Sequence, residues 1–477
     1  MKSRKKRKQR ILQAIRQRYT EKKWRKRPRK HKNKPVAYKQ SIVPRKIRRG
    51  GFYFQSIRID GSFKNNHIPR IKKAFISKNL YYLFYTKDSP FNLKDIKNAC
   101  FQTHGIIPIP QHFSIIDNAD QSFLIIRQLI SALFLEKHSS VILDYEKCDE
   151  VELNAQVLLD IILKDYIKYC TLSKKTYSLR GININNEDVK KLLFSVGSPA
   201  VLKLKSVDFE DVIKYPLCVH DIEKTKDPEK RINQKDIDTT TLVDYVIDSL
   251  KRMNKQLTNK KRHDLCTVIG ETLINAEEHS TTKYRFSIGY FQEEKINDKH
   301  FGVFRLVILN FGKTIYEKFK DKDCPNQDIV EKMNDLSKNY TTRNFFSSKK
   351  FEEETLWTLY ALQEGVTSIP YEKYQSRGNG SIRFIESFFN IKGSPDNDSI
   401  SRMIIASGKS RIVFDGSYGV EKKNDNGEVY RVMTFNKSGS LDNKPDDKYV
   451  YNSDHYFPGT LISVKLLLND DDIKQIA

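Results

Sequence analysis

The sequence predicts a multidomain protein of mixed α/β and α+β class, preceded by a disordered basic segment. Strand-like and helix-like segments alternate between residues 74 and 208, which is typical of layered α/β structure. Farther along the chain, an apolar-periodic helix at 268–280 is followed by buried strand patterns and glycine-rich turns. Almost all of the net positive charge lies in the first 50 residues.

The basic N-terminal segment is the first element. Residues 1–50 hold 23 lysines and arginines and one acidic residue, Glu21, so they carry +22 of the formal net charge of +26. A segment of this composition has too few apolar side chains to form a core, and we expect it to be disordered. Its charge predicts binding to the phosphate backbone of DNA or RNA, with Tyr19 and Trp24 available to stack on bases. An anionic membrane surface, or no specific partner, are the alternatives.

Composition shifts then divide the chain into five segments. The stretch after the arm is rich in Gly, Pro and Arg, and a second linker-like stretch contains Pro216, Pro228 and a run of charged residues. We therefore expect a basic arm at 1–50, a linker at 51–73, a small α/β domain at 74–208, a linker at 209–236 and a C-terminal domain at 237–477.

Within the small domain, the patterns predict three strands and three helices. The strands are expected at 80–85, 140–144 and 177–182, and the helices at 123–137, 157–169 and 186–195. The sequence of Ser139–Asp144, followed by Cys148–Ala155 and a helix, resembles a STAS domain. In that family a serine at the start of the helix accepts phosphate, whereas here Leu153-Asn154-Ala155 carry no hydroxyl. The resemblance implies a role in packing, dimerisation or partner recognition, and a generic small α/β domain is the alternative.

The most informative stretch is the helix predicted at 268–280. Its apolar residues fall on one stripe at the spacing of a buried helix face. Glu271 and Asn275 are four residues apart and therefore lie one above the other on a neighbouring stripe. An amide oxygen can ligate Mg²⁺, and a carboxylate can orient or deprotonate a nucleophile. The alternative is an ordinary amphipathic helix whose polar residues are solvated.

Three segments that follow this helix along the chain have patterns that can be interpreted together with it. A buried strand at 304–315 ends at Asn310 and Gly312, a glycine-rich loop follows at 376–381, and a strand is expected at 457–466. Together with the helix, these segments resemble the GHKL ATPase domain shared by gyrase, MutL, histidine kinases and anti-sigma-factor kinases. The resemblance implies a C-terminal α/β sandwich.

It also implies a set of site residues and two cofactors, ATP and Mg²⁺. Glu271 corresponds to the catalytic glutamate and Asn275 to the Mg²⁺-binding asparagine. The resemblance assigns nucleotide binding to Asn275, Asn310, Gly312, Arg377, Gly378, Gly380 and Thr460. Residues 313–380, including Gly365–Ser368, correspond to the mobile lid.

The chain departs from the family at the first glycine-containing motif. The family usually has an aspartate at the position of Asn310, and a second glycine where this chain has Lys313 and Thr314. An asparagine oxygen can still accept a hydrogen bond from the adenine amine, so we expect weaker recognition of the base. A degenerate domain that serves only as a scaffold is the alternative.

The resemblance implies an ATP-binding protein, a slow Mg²⁺-dependent ATPase whose nucleotide state controls a protein partner or a nucleic-acid interaction. A serine/threonine protein kinase of the anti-sigma-factor type is an alternative, because those kinases carry the same Glu/Asn pair. A nucleic-acid-binding scaffold with an inert ATPase fold is another.

Compartment can be addressed from cysteine usage and hydropathy. The six cysteines are widely spaced, with no Cys-x-x-Cys pair, which favours a reducing compartment. No apolar run approaches the roughly 18–20 residues that a membrane span requires, and the N-terminus lacks the apolar region of a secretory signal. We therefore expect a cytoplasmic protein.

Overall fold

A computed structural model of the chain confirms the mixed α/β class. It describes residues 52–53, 71–136, 138–222, 228–278, 280–296, 299–341, 351–368, 380–392, 399–425 and 428–469. The arm predicted at 1–50 lies outside these residues. Residues Gly50–Ala477 form one compact unit. In the part of the chain that is described, no helix is both long enough and apolar enough to cross a membrane.

Helices account for much of the described chain. In chain order they are α1 (Lys78–Tyr85), α2 (Leu93–Asn98), α3 (Ala119–Ile130, continued by a π-helical turn at Ser131–Leu135), α4 (Leu153–Ser173), α5 (Glu187–Ser195), α6 (Ser198–Val201), α7 (Pro228–Arg252), α8 (Asn259–Glu278), α9 (Ile315–Phe319), α10 (Gln327–Thr341), α11 (Glu353–Ala361) and α12 (Gly380–Lys392). A short 3₁₀ turn precedes α1 at Lys73–Phe75.

The strands among the described residues form four sheets. They are β1 (Phe52–Tyr53), β2 (Ile106–Pro108), β3 (His112–Phe113), β4 (Ser140–Asp144), β5 (Glu150–Val151), β6 (Ser178–Ile182), β7 (Val212–Asp221), β8 (Tyr284–Ile296), β9 (Lys299–Phe311), β10 (Arg402–Phe414), β11 (Glu421–Asp425), β12 (Glu428–Val432) and β13 (Val450–Asn469). The larger sheets have the orders β1-β6-β4-β2 and β10-β13-β9-β8-β7, and the pairs β3-β5 and β11-β12 are separate.

Residues 52–53, 71–136 and 138–208 form an N-terminal module built on the four-stranded sheet. Strands β2, β4 and β6 run parallel and β1 is antiparallel to β6. Helices α3 and α4 connect the parallel strands, as parallel pairing requires. The strand predicted at 140–144 has those bounds, and the strand predicted at 177–182 begins one residue later.

The strand predicted at 80–85 is wrong, because this segment is helix α1. Ser77 begins the helix as an N-cap, its hydroxyl accepting a hydrogen bond from the Leu80 backbone N–H. Leu80, Leu83 and Phe84 are all buried and have helical spacing. Helical spacing and the cap therefore outweigh the β-propensity of the aromatic residues.

Both predicted linkers contain strands. Residues 51–73 contribute β1, and residues 209–236 contribute β7, which pairs antiparallel with β8. Helix α7 already begins at Pro228. The five-stranded sheet and its helices thus begin before the domain boundary expected at residue 237.

The five-stranded sheet is antiparallel throughout and buried on both faces. Successive side chains of a strand point to opposite faces. In β9, Leu306 and Ile308 pack with α7, α8, α11 and α12, whereas Val307 and Leu309 pack with the N-terminal module. The sheet therefore separates two hydrophobic cores, one on each face.

Ion pairs accompany the contact between the sheet and the N-terminal module. The Lys465 ammonium lies 2.6 Å from a Glu152 carboxylate oxygen and 3.1 Å from a Glu150 oxygen. Burial alone would raise the pKa of Glu152, but the charges of Lys465 and Arg305 hold it below its ordinary value. The carboxylate is therefore ionised and paired at this contact.

A buried carboxyl group lies inside the N-terminal module. Asp160 is fully buried in α4, and its Oδ1 accepts hydrogen bonds from the Ser198 hydroxyl and, at 2.9 Å, from the Gln156 amide. Its Oδ2 has no hydrogen-bond partner among the described residues. Burial raises the pKa of Asp160 from 3.8 to about 7, although both hydrogen bonds act in the opposite direction.

This shift predicts how the stability of the parent and of Asp160→Asn depends on pH. A carboxyl group with a raised pKa in the folded state destabilises the fold progressively as pH rises from about 4 to about 7. The amide introduced by the substitution cannot ionise, so Asp160→Asn should gain stability relative to the parent between about pH 5 and pH 8. Denaturant unfolding at both pH values measures the difference, with the exposed Asp88→Asn as control. An identical difference between parent and variant at both pH values would contradict the shift.

Candidate functional site

A cavity of about 580 Å³ opens between α8, α12 and the adjacent face of the five-stranded sheet. Its volume lies within the range typical of ligand-binding pockets, roughly 300–1,000 Å³. Residues from most of the predicted motifs line it: Glu271, Asn275, Glu278, Asn310, Lys318, Val366, Thr367, Ser368, Ser381, Phe384 and Thr460 are among them. The fold thus brings segments that are distant in sequence to one cavity.

Helix α8 supplies one wall of the cavity. Leu265, Val268, Ile269 and Leu273 are buried in the core, as the apolar stripe predicted. Glu271 and Asn275 therefore lie at the edge of that core, facing the cavity one helical turn apart. The geometry expected for this pair from the sequence is present.

The environment of Glu271 affects its protonation. Burial raises the pKa of this half-buried carboxyl above its ordinary value, and the positive charges of Arg383 on α12 and Lys235 on α7 act in the opposite direction. The two cations favour the ionised form that a general base requires.

The two asparagines of the cavity differ in their hydrogen bonding. Within the described part of the chain, no hydrogen bond involves the Asn275 side chain. Asn310 is 1% exposed, and its amide donates to the Ala276 carbonyl at 2.5 Å. Its Oδ1 accepts from the Thr460 backbone N–H at 3.1 Å. Asn310 therefore joins α8 to β13, whereas Asn275 is available to a ligand.

The pairing of β9 with β13 determines the positions of Thr460 and Gly312. Thr460 is directly opposite Asn310 in the β9–β13 register, and its hydroxyl lies 3.2 Å from the Ser407 hydroxyl. The Gly312 backbone N–H donates to the Pro458 carbonyl at 3.3 Å. Where the family has a second glycine, Thr314 forms a capping box with Glu317 and begins α9. At the position where the GHKL family has a second glycine, this chain therefore has the N-cap of a helix.

The glycine-rich loop is described only at its end. Arg377 and Gly378 lie outside the described residues, and Gly380 is the first residue of α12. Ser381, which follows it, lines the cavity. The lid predicted at 313–380 contains α9, α10 and α11, and Val366–Ser368 also line the cavity.

A buried ionic cluster fixes the elements around the cavity. The Arg285 guanidinium is 0% exposed and lies 2.6 Å from Asp238 and 3.1 Å from Glu277. His220 lies 3.7 Å from both carboxylates. Burial would raise the pKa of Asp238, but its His220, Gln234 and Arg285 partners lower it to about 2. This cluster could not be predicted from residue spacing, because its members come from four different elements.

A second group of titratable residues has metal-ligand composition. His112, Glu150 and Glu152 offer ligand atoms within 4.8 Å of one another. The ammonium of Lys465 already contacts both carboxylates. Because a cation is already supplied by the chain, this group is better explained as part of the contact between module and sheet.

Comparison with known proteins adds no assignment. No protein-family model, curated protein or solved structure matches the chain. The functional interpretation therefore depends on the geometry of the cavity.

The hydrogen bonds of Asn310 predict that the aspartate usual in the GHKL family is unfavourable here. In Asn310→Asp, a carboxylate oxygen replaces the donor that faces the Ala276 carbonyl, and two acceptors then meet in a buried site. The free energy of unfolding should fall by about 1–3 kcal/mol. Denaturant unfolding measures the loss.

The exposed Asn183, whose amide donates to Asp144 at 2.9 Å, provides a matched comparison. Asn183→Asp also juxtaposes acceptors, but water screens them, so a smaller loss is expected. If Asn310→Asp proves as stable as the parent, the proposed hydrogen-bond arrangement is wrong.

Proposed function

We propose that the cavity binds ATP together with Mg²⁺, and that the chain is a slow ATPase of the GHKL type. The observation that carries the proposal is the convergence of Glu271, Asn275, Asn310 and Thr460 on one cavity. The antiparallel sheet, with α7, α8 and α12 against one face, is in keeping with the α/β sandwich that the resemblance implies.

The residues of the cavity fit a metal-bound nucleotide. Asn275 offers an amide oxygen, a ligand type that Mg²⁺ accepts, and no other described residue engages its side chain. Bound Mg²⁺ would supply charge neutralisation at the phosphates. Asn275 would thus fix the phosphate end of the nucleotide along α8.

Glu271 is the proposed general base. It lies one turn before Asn275 on the same helix face, where it can accept a proton from a water that attacks the terminal phosphate. Burial raises its pKa, and the charges of Arg383 and Lys235 act in the opposite direction, towards the ionised form that a base requires.

The base end of the cavity has fewer polar groups to offer. Asn310 uses its amide N–H and one lone pair of Oδ1 on backbone partners, which leaves one lone pair for the adenine amine. Thr460 and the apolar walls provided by Ile308, Ile405 and Ile462 would contact the rest of the ring. Recognition of adenine is therefore expected to depend on shape as well as hydrogen bonds.

The same geometry accommodates a protein kinase, in which Glu271 accepts the proton of a serine or threonine hydroxyl of a partner. An inert scaffold is the remaining alternative. The N-terminal module is proposed as STAS-like, although Asn154, at the start of α4, accepts a hydrogen bond from the Ile115 backbone N–H at 3.0 Å. Its side chain therefore has a structural role. Nucleic-acid binding by the arm remains a prediction from the sequence charge.

Two substitutions separate nucleotide binding from turnover. Asn275→Ala removes the proposed metal ligand at the edge of the core, so Mg-ATP binding should weaken while the fold is kept.

Glu271→Gln should still bind Mg-ATP but lose about 10²–10⁴-fold in phosphate release or transfer, because it removes the base. Calorimetric titration and phosphate release, with and without protein substrates, measure the two effects.

Asp264→Ala, an exposed position on the same helix, controls for loss of a polar side chain from α8. Equal Mg-ATP affinity in the parent and in Asn275→Ala would remove Asn275 from the site. A parent protein that binds ATP but neither hydrolyses nor transfers phosphate would favour the inert scaffold.

A further inference from the structure

We propose that Lys318 binds a phosphate group of the nucleotide in the cavity. This inference rests on the proposed nucleotide-binding function and assigns to the phosphates a lysine that is not among the residues implied by the family resemblance. Lys318 belongs to α9, which follows directly after the first glycine-containing motif, and its side chain lines the cavity.

The position of Lys318 relative to α8 supports the assignment. Its ammonium donates a hydrogen bond to the Glu278 backbone carbonyl at 3.3 Å. Glu278 is three residues after Asn275, so its Cα lies about 4.5 Å farther along the helix axis than the Cα of the proposed metal ligand. Lys318 thus lines the same cavity as Glu271 and Asn275 and contacts α8 near the end that follows Asn275.

The charged residues that line the cavity include more carboxylates than cations, so a lysine there matters for phosphate binding. Among the described residues that line it, Glu271 and Glu278 are acidic and Lys318 alone is basic. Two carboxylates would repel the phosphates of a nucleotide. Among the described residues that line the cavity, Asn275 through a bound metal ion and Lys318 through its ammonium are therefore the two that can attract them.

The protonation of Lys318 depends on its surroundings. Burial lowers the pKa of Lys318 to about 8, and the neighbouring Glu278 on α8 and Cys324 after α9 act in the opposite direction. A phosphate binds the ammonium form, which predominates below about pH 8. Nucleotide affinity should therefore be highest at neutral pH and fall as pH rises through about 8.

The test compares three substitutions in the full-length chain by calorimetric titration with Mg-ATP and with adenosine. Lys318→Gln removes the charge but keeps an N–H donor, so it should weaken Mg-ATP binding about 10- to 100-fold. Binding of adenosine should be unchanged, because adenosine carries no phosphate. Lys320→Met is the control, since Lys320 is two residues away, is exposed and pairs with Glu353 at 2.9 Å.

Lys318→Arg provides an independent readout. An arginine keeps its charge at all accessible pH values, so the decline in Mg-ATP affinity above about pH 8 should be present in the parent and absent in Lys318→Arg. A role confined to capping the end of α8 would not produce this difference.

The outcomes are distinct. If Lys318→Gln binds Mg-ATP as tightly as the parent, the inference is overturned while nucleotide binding stands. If Mg-ATP and adenosine lose affinity equally, Lys318 acts on the shape of the cavity and the phosphate assignment is wrong. If the parent and the variants all fail to bind Mg-ATP, the proposed function falls, and the inference falls with it.

Discussion

The arrangement of the cavity depends on the buried ionic cluster of Arg285, Asp238, Glu277 and His220. These residues belong to β8, α7, α8 and β7, so one guanidinium ties two helices to the sheet. Glu277 is two residues after Asn275, and its pairing fixes the rotation of α8 about its axis. Removing one partner of a buried ion pair costs about 3–5 kcal/mol, because the remaining charge is left uncompensated. The cluster therefore favours one orientation in which Glu271 and Asn275 face the cavity.

The five-stranded sheet gives this orientation a rigid support. Its strands alternate between two apolar faces, so the N-terminal module covers one face while α7, α8, α11 and α12 cover the other. The cavity lies on the helical side, where Asn310 of β9 joins α8 to β13 by two hydrogen bonds. A ligand bound there would contact one face of the sheet, and the other face of the same sheet packs against the N-terminal module. Lys465 pairs with Glu150 and Glu152 and adds a charged contact between the sheet and the N-terminal module.

The local periodicity of apolar residues predicted much of the fold. Contacts between residues that are far apart in the sequence were not predicted. The apolar stripe around Leu273 and the apolar segment at 304–315 identified α8 and β9, because each pattern reflects burial of one element, although β9 spans Lys299–Phe311 and a helix begins at Ile315. The segment 80–85 was predicted as a strand, since its aromatic residues favour β structure and the Ser77 cap is a weak signal. The ionic cluster and Lys318 could not be found from spacing, because their partners come together only in the folded chain. The hydrogen bonds of Asn310, likewise, depend on the β9–β13 register.

The most direct test of the account is a crystal structure of the full-length chain with a non-hydrolysable ATP analogue and Mg²⁺. We predict that the analogue occupies the cavity between α8 and α12. Its metal ion should contact Asn275, with Lys318 against a phosphate oxygen and the base near Asn310 and Thr460. An analogue bound elsewhere, or an empty cavity in crystals grown at saturating nucleotide, would contradict it.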